Sequence, residues 1–136
     1  MKIVVASGYF NPLHIGHIKY LESAKKLGDK LIVIVNNDVQ VGLKGSFPFM
    51  PERERVEIIK ALRCVDEVML SIDSDKTVAR TLMEVNADVF AKGGDSTPEN
   101  VPEAEQAVVK EIIFGVGGQK IQSSSTLCQR VNIPIR

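Results

Sequence analysis

The chain has no tryptophan, only two cysteines and two histidines, and aromatic residues fill just 5% of its 136 positions. Cys64 and Cys128 stand far apart, which excludes a CxxC metal pair and a disulfide framework and leaves them as buried or unreactive free thiols. Net charge is lacking as well, because 17 basic and 17 acidic residues cancel. No global field therefore draws the chain to nucleic acid or to an anionic membrane. Apolar runs are short: residues 31–35 fall far below the stretch of about 20 that a membrane helix needs. Met1 and Lys2 lead into a strand-like run rather than the apolar core of a secretory signal. These absences point to a cytoplasmic protein with neither a nucleic-acid nor a membrane partner.

What is present suits one compact domain spanning residues 1–136, with a hydrophobic content of 44% that allows a real core. Short β-branched runs alternate with stretches of helical spacing, the pattern of βαβ units around a parallel sheet. Strands are expected at residues 2–6, 30–35, 65–70, 87–91 and 112–116. Helices are expected after the first strand, where Tyr20, Leu21, Ala24 and Leu27 recur at helical spacing, then over residues 51–62, 76–85 and 101–110, and from about 124 onward. Gly28 sits where a left-handed residue would stop the first helix, and proline at 51 suits a first helical turn. The fold class is therefore α/β: a single Rossmann-like, doubly wound domain with a five-stranded parallel sheet. In such a sheet the ligand crevice lies beyond the C-terminal strand ends at the switch point. The least regular stretches, 36–50 and 93–102, fall on that side, where loops commonly carry function.

The first strand runs into Gly8-Tyr9-Phe10-Asn11-Pro12-Leu13-His14-Ile15-Gly16-His17. A helix N-terminus following a strand at the switch point offers unpaired N–H groups and a positive dipole end to phosphate. His14 and His17 are three apart, so at a helix start they share a face and can both donate to one group. Gly16 leaves room for a ligand between them. Two isolated histidines would read as helix-start polar residues or metal ligands. Here strand, glycine and spacing agree on phosphate, and no third neighbour supports zinc, so no protein-held metal is expected. The absence of GxGxxG after the first strand argues against a NAD-dependent enzyme.

With these residues the chain resembles, over nearly its full length, the cytidylyltransferase-like nucleotidyltransferase family, whose hallmark is an HxGH motif after the first strand. The resemblance implies that His14 and His17 bind the phosphates of an NTP and stabilise the transition state, with Gly8, Tyr9, Phe10, Asn11 and Gly16 around the nucleotide. A family Ser/Thr motif at the start of the last helix is matched by Gln122-Ser123-Ser124-Ser125-Thr126, whose hydroxyls and N–H groups can hold the β- and γ-phosphates. Alone, such a serine run reads as a cap or a loop. Lys44 falls on the family's flexible-loop lysine, which closes over the α-phosphate and the acceptor's phosphate. The turn Lys92-Gly93-Gly94-Asp95 matches one used beside the nucleotide, where glycine permits close backbone approach. Asp38, Arg55 and Arg63 fall on positions that bind or position substrate, whereas Arg53 reads as a solvated surface charge.

The activity implied is transfer of a nucleoside monophosphate from CTP or ATP to a phosphorylated sugar or polyol, with release of pyrophosphate. Mg²⁺ carried by the NTP is the expected cofactor, and a homodimer the expected assembly. Residues 92–99 look most like the sugar-phosphate adenylyltransferase branch that makes ADP-heptose; the short chain and its Leu43-Lys44-Gly45 loop resemble glycerol-3-phosphate cytidylyltransferase. Asn11 stands where cytidylyltransferases often have Asp. Gly115-Val116-Gly117-Gly118 lacks the arginine those enzymes tend to carry ahead of the serine motif, and Lys120, without a planar fork, is an imperfect substitute. Phosphopantetheine, nicotinamide mononucleotide and FMN stay open as acceptors, and a noncatalytic nucleotide-binding module stays open as another class.

Overall fold

The computed structural model describes residues 1–118 of the chain. Ten elements follow one another: β1 (Ile3–Gly8), α1 (Ile15–Lys25), β2 (Lys30–Val35), α2 (Asp38–Leu43), α3 (Glu52–Lys60), β3 (Glu67–Leu70), α4 (Ala79–Val85), β4 (Val89–Ala91), α5 (Glu103–Gln106) and β5 (Glu111–Ile113). The five strands form one sheet in the order β3-β2-β1-β4-β5, and every pairing is parallel. The chain winds outward from β1 through β2 to β3, then returns to β1's other side for β4 and β5. The switch point therefore lies between β1 and β4.

Both faces of the sheet are covered because side chains alternate along each strand. Val4, Ala6, Leu31, Val33 and Val35 pack with Leu21 and Ala24 of α1 and Ile59 of α3. Val5, Ile32, Ile34 and Phe90 pack on the other face with Val78 and Leu82 at α4. Right-handed crossovers produce this division: α1 and α3 accompany the outward winding, and α4 follows the reversal. Three carboxylates tie down the opposite, N-terminal edge. Asp29 accepts from the Lys2 N–H (2.7 Å), Asp88 from Ile3 (2.8 Å) and Asp66 from Leu31 (2.8 Å). The Lys25 ammonium and then the Leu31 N–H hold the Asp66 carboxyl below its ordinary range.

Several boundaries differ from expectation for identifiable reasons. Gly28 is not a left-handed helix stop: α1 is capped by Lys26 in the right-handed region, and Gly28 is absent from the positive-φ glycines. It is glycine because a Cβ there would come within 2.7 Å of Val4 Cγ2 and 2.8 Å of the Lys2 carbonyl oxygen. Within 36–50, read as irregular, α2 forms behind a reciprocal cap: the Asn37 side chain accepts from the Gln40 N–H (2.9 Å), and Gln40 Oε1 accepts from the Asn37 N–H (3.0 Å). The helix expected over 101–110 is only Glu103–Gln106, because the chain must turn back to enter β5 at Glu111. β5 ends at Ile113 rather than at 116, since Gly115, Gly117 and Gly118 all take positive φ. The helix expected from about 124 lies outside the described residues, as does Cys128. Cys64 is a half-buried free thiol, and burial pushes its pKa up.

Candidate active site

A cleft of about 420 Å³ opens above the C-terminal ends of β1 and β4, within the size range of small-molecule sites. Its floor begins at Gly8, the last residue of β1. Phe10 follows with φ of 50° and is buried, and its ring folds back so closely that a Cβ on Gly8 would lie 2.8 Å from Phe10 Cζ. That reversal delivers the chain to the start of α1.

His14 is the N-cap of α1 and His17 its third residue, and each imidazole closes part of the cap. His14 Nδ1 accepts from the Gly16 N–H at 3.1 Å, and His17 Nδ1 accepts from the His14 N–H at 3.1 Å. A neutral ring that accepts at Nδ1 carries its proton on Nε2, so the backbone selects the tautomer. The rings stack with centroids 3.7 Å apart, and Phe10 meets His17 edge-on at 4.9 Å. Both histidines line the cleft. The helix-start role thus belongs to the Nδ1 atoms of rings that also line the cleft.

Ammonium groups line the same cleft. Lys44, at the C-cap of α2, sits at the rim with Nζ 4.3 Å from the Tyr9 ring centre. Lys76 and Lys92 line the cleft from before α4 and after β4. Gly93, Gly94 and Asp95 line it too, so Gly8, Tyr9, Phe10, His14, Gly16, His17, Lys44, Lys92, Gly93 and Asp95 come together around one cleft. Gly117, at φ 88°, presses against α1; a Cβ there would lie 2.9 Å from Tyr20 Cα. Residues Gln122, Ser123, Ser124, Ser125 and Thr126, and Lys120 before them, lie outside the described residues.

Four expected residues are not brought to the cleft surface. Arg55 is fully buried behind its wall. Its Nε donates to the Met50 carbonyl (3.0 Å), its Nη1 to those of Tyr9 and Asn36 (2.7 Å each), and its Nη2 to Asp38 Oδ1 (2.7 Å). Asp38 is thereby Arg55's counter-ion and also accepts from the Glu52 N–H (3.2 Å), joining the starts of α2 and α3. Asn11 is buried, donating to the Phe47 carbonyl (3.0 Å) and accepting from the Phe49 N–H (2.7 Å), so its amide holds the loop after α2. Arg63 is exposed beyond the end of α3, at the N-terminal edge of the sheet, because α3 runs antiparallel to the strands.

Sequence reasoning does not reach Tyr20, Lys76 or Glu105, which also line the cleft. The Tyr20 hydroxyl donates to the Ala91 carbonyl (2.6 Å) and accepts from the Ser7 N–H (3.3 Å), bridging β1 and β4 at the switch point, and burial pushes its pKa up. Glu105 Oε2 accepts from the Val78 N–H (2.8 Å), and burial raises its carboxyl above the ordinary value. Among the described residues no group of three or more His, Cys, Asp or Glu side chains could hold a metal ion, and no helix is long and apolar enough to cross a membrane.

Fold and cleft together define an α/β domain that gathers imidazoles, ammonium groups and a helix N-terminus in one cleft at its switch point. Residues 5–129 match the model of the cytidylyltransferase-like family, and the chain belongs to that family of nucleotidyltransferases. It is 40% identical over 119 residues to the bifunctional protein HldE of Syntrophotalea carbinolica, covering 86% of this chain and 23% of that protein. It is 37% identical over 134 residues to the same-named protein of Cronobacter sakazakii, covering 97% and 27%. The chain thus spans about a quarter of the length of these relatives. Among solved structures it is similar to the lipopolysaccharide core biosynthesis protein from Thermoplasma volcanium GSS1, with a TM-score of 0.75, 32% identity, and coverage of 90% of this chain and 99% of that one.

Proposed function

We propose that this nucleotidyltransferase transfers a nucleoside monophosphate, adenylyl in preference to cytidylyl, from an NTP to a phosphorylated sugar or polyol. The observation that carries the reading is the imidazole pair at the start of α1. With both Nδ1 atoms engaged by backbone N–H groups, both Nε2–H groups serve as donors to a phosphate seated in the cleft, where Lys44 and Lys76 offset its charge. The sugar character of the acceptor is supported by the resemblance of residues 92–99 to the sugar-phosphate adenylyltransferase branch, and by similarity to a lipopolysaccharide core biosynthesis protein. Asn11 in place of Asp, and Gly115-Val116-Gly117-Gly118 in place of an arginine, favour ATP over CTP.

In this reaction a phosphate oxygen of the acceptor attacks the α-phosphorus in line. A P–O bond forms there while the bond to the bridging oxygen breaks, and its electron pair leaves with pyrophosphate. The protein's task is positioning and neutralisation of developing charge. Mg²⁺ enters with the NTP and offsets phosphate charge; the chain contributes hydrogen-bond donors and ammonium groups.

Alanine at either histidine would also remove a helix cap, so the sharper variants are His14→Asn and His17→Gln. They reproduce at α1 the Asn37/Gln40 cap already present at α2 and delete only the imidazoles. Each is expected to unfold at the wild-type temperature and to lose two to three orders of magnitude in turnover, roughly the scale of removing one transition-state donor. The assay pairs each NTP with phosphorylated acceptors and follows pyrophosphate. Wild-type turnover in both variants would overturn the assigned roles, and tight NTP binding without release for any pair would favour a noncatalytic module.

A further inference from the structure

Glu105 is the one residue at the cleft with a buried side-chain oxygen that lacks a hydrogen-bond partner among the described residues. Only 4% of the residue is exposed. One carboxylate oxygen, Oε2, is engaged by the Val78 N–H at the start of α4. The other, Oε1, faces the Lys92 ammonium at 3.9 Å, an ion pair too long for a hydrogen bond. Lys92 is itself mostly buried, with Nζ 4.7 Å from the Phe90 ring centre. A buried acceptor without a donor is costly and rare in folded proteins, and in a cleft its natural complement is a ligand.

Charge decides which part of a ligand that is. A phosphate cannot sit against a buried carboxylate, and the imidazole pair and Lys44 stand at α1 and the rim. The part facing Glu105 is therefore neutral. It must donate to Oε1, and it gains further if it also accepts from Lys92. A base edge needs two separate atoms for this, an exocyclic amine to donate and a ring nitrogen to accept. A hydroxyl does both, bridging a gap that carboxylate and ammonium do not close themselves.

We infer that the Glu105–Lys92 pair is a hydroxyl-reading subsite, binding a sugar hydroxyl that donates to Glu105 Oε1 and accepts from Lys92 Nζ. The inference rests on the transferase reading above and deepens it by naming the chemistry recognised on this wall. The hydroxyl belongs either to the ribose of the NTP or to the phosphorylated sugar or polyol, and the test separates the two.

Binding is measured by calorimetry for ATP, 2′-deoxy-ATP and 3′-deoxy-ATP, and separately for mannose 1-phosphate and glycerol 3-phosphate, with wild type, Glu105→Gln and Lys92→Met. In Glu105→Gln the amide oxygen keeps the Val78 N–H, so an NH₂ group replaces the acceptor. If the ribose is read, wild type prefers ATP over one deoxy analogue by about ten- to a hundredfold, the scale of a hydrogen bond to a charged group, and both variants erase that preference. If the acceptor is read, ATP and its deoxy forms bind alike, and both variants weaken a sugar or polyol phosphate by a similar factor. Unchanged affinities and unchanged ATP-to-deoxy-ATP ratios in both variants overturn the inference, whatever the turnover. Hydroxyl discrimination lost in the variants, in a protein that releases no pyrophosphate with any pair, sustains the subsite and overturns the transferase reading instead.

Discussion

Replacing Arg55 by methionine removes a guanidinium that is fully buried and makes four hydrogen bonds. Three go to the backbone carbonyls of Tyr9, Asn36 and Met50, which tie the ends of β1 and β2 to the start of α3. The fourth goes to Asp38, which is partly exposed and can be rehydrated. A buried acceptor deprived of its donor costs about 1–3 kcal/mol, and breaking a buried ion pair from one side costs about 3–5 kcal/mol. With some carbonyls gaining water through the cleft, a loss of about 3–5 kcal/mol follows, or about 10–20 °C in melting temperature for a domain of this size. Arg55→Lys keeps the charge but not the planar fork, and should fall between wild type and methionine. Urea and thermal unfolding of the ligand-free protein measure the loss. KM for NTP and acceptor, taken at a temperature where the variant stays folded, should change less than about threefold, because no ligand contact is removed. A variant that unfolds like wild type but shows a tenfold or larger rise in KM would refute the reasoning and restore Arg55 as a substrate-binding residue.

Asn11→Asp should destabilise by about 1–3 kcal/mol, since the carboxylate has no donor for the Phe47 carbonyl; hydrogen exchange at the Phe49 amide should quicken, and unchanged exchange would contradict the brace. Gly28→Ala should lower the melting temperature because its Cβ meets the Lys2 carbonyl, whereas Gly42→Ala, with open space around it in α2, should raise stability by about 0.5–1 kcal/mol. Glu105 carries a pKa raised above 4.5 by burial, opposed by the Val78 N–H and Lys92 and reinforced by Asp73 and Asp75. The folded state therefore prefers the protonated carboxyl, whose stabilising contribution is complete below the unfolded value and lost as pH rises through the folded one. Glu105→Gln does not ionise, so its melting temperature relative to wild type should climb from pH 4.5 toward neutrality. A difference that is flat or falls with pH would contradict the burial of that charge.

Much of this arrangement was legible in sequence because it depends on local chemistry. Residues 30–35 form β2 as expected, since an unbroken β-branched run flanked by polar residues suits a strand covered on both faces. The Gly8-to-His17 turn could be placed at a strand end before a helix, which fixed both histidines at one N-terminus. Less legible were features that depend on what packs behind. Arg53 and Arg55 look alike in Glu52-Arg53-Glu54-Arg55, yet Arg55 lies one turn before buried Ile59 and shares its inward face. That i, i+4 relation was a usable signal. The α2 cap was also written in Asn37 and Gln40, but Gly42 and the following prolines disguised a short helix. Glu105 left no trace, because a glutamate in an acidic stretch looks solvated until the fold brings Val78 and Lys92 to it.

Nucleotide binding in this cleft depends most on both imidazoles presenting an Nε2 proton to phosphate, and long-range ¹H–¹⁵N correlation spectra of the histidine rings test this directly. His14 and His17 should both show the Nε2–H tautomer in the ligand-free protein, with both Nε2 resonances shifting when Mg·ATP is added. Protonation at Nδ1 in either ring, or Nε2 signals unmoved by saturating nucleotide, would contradict it.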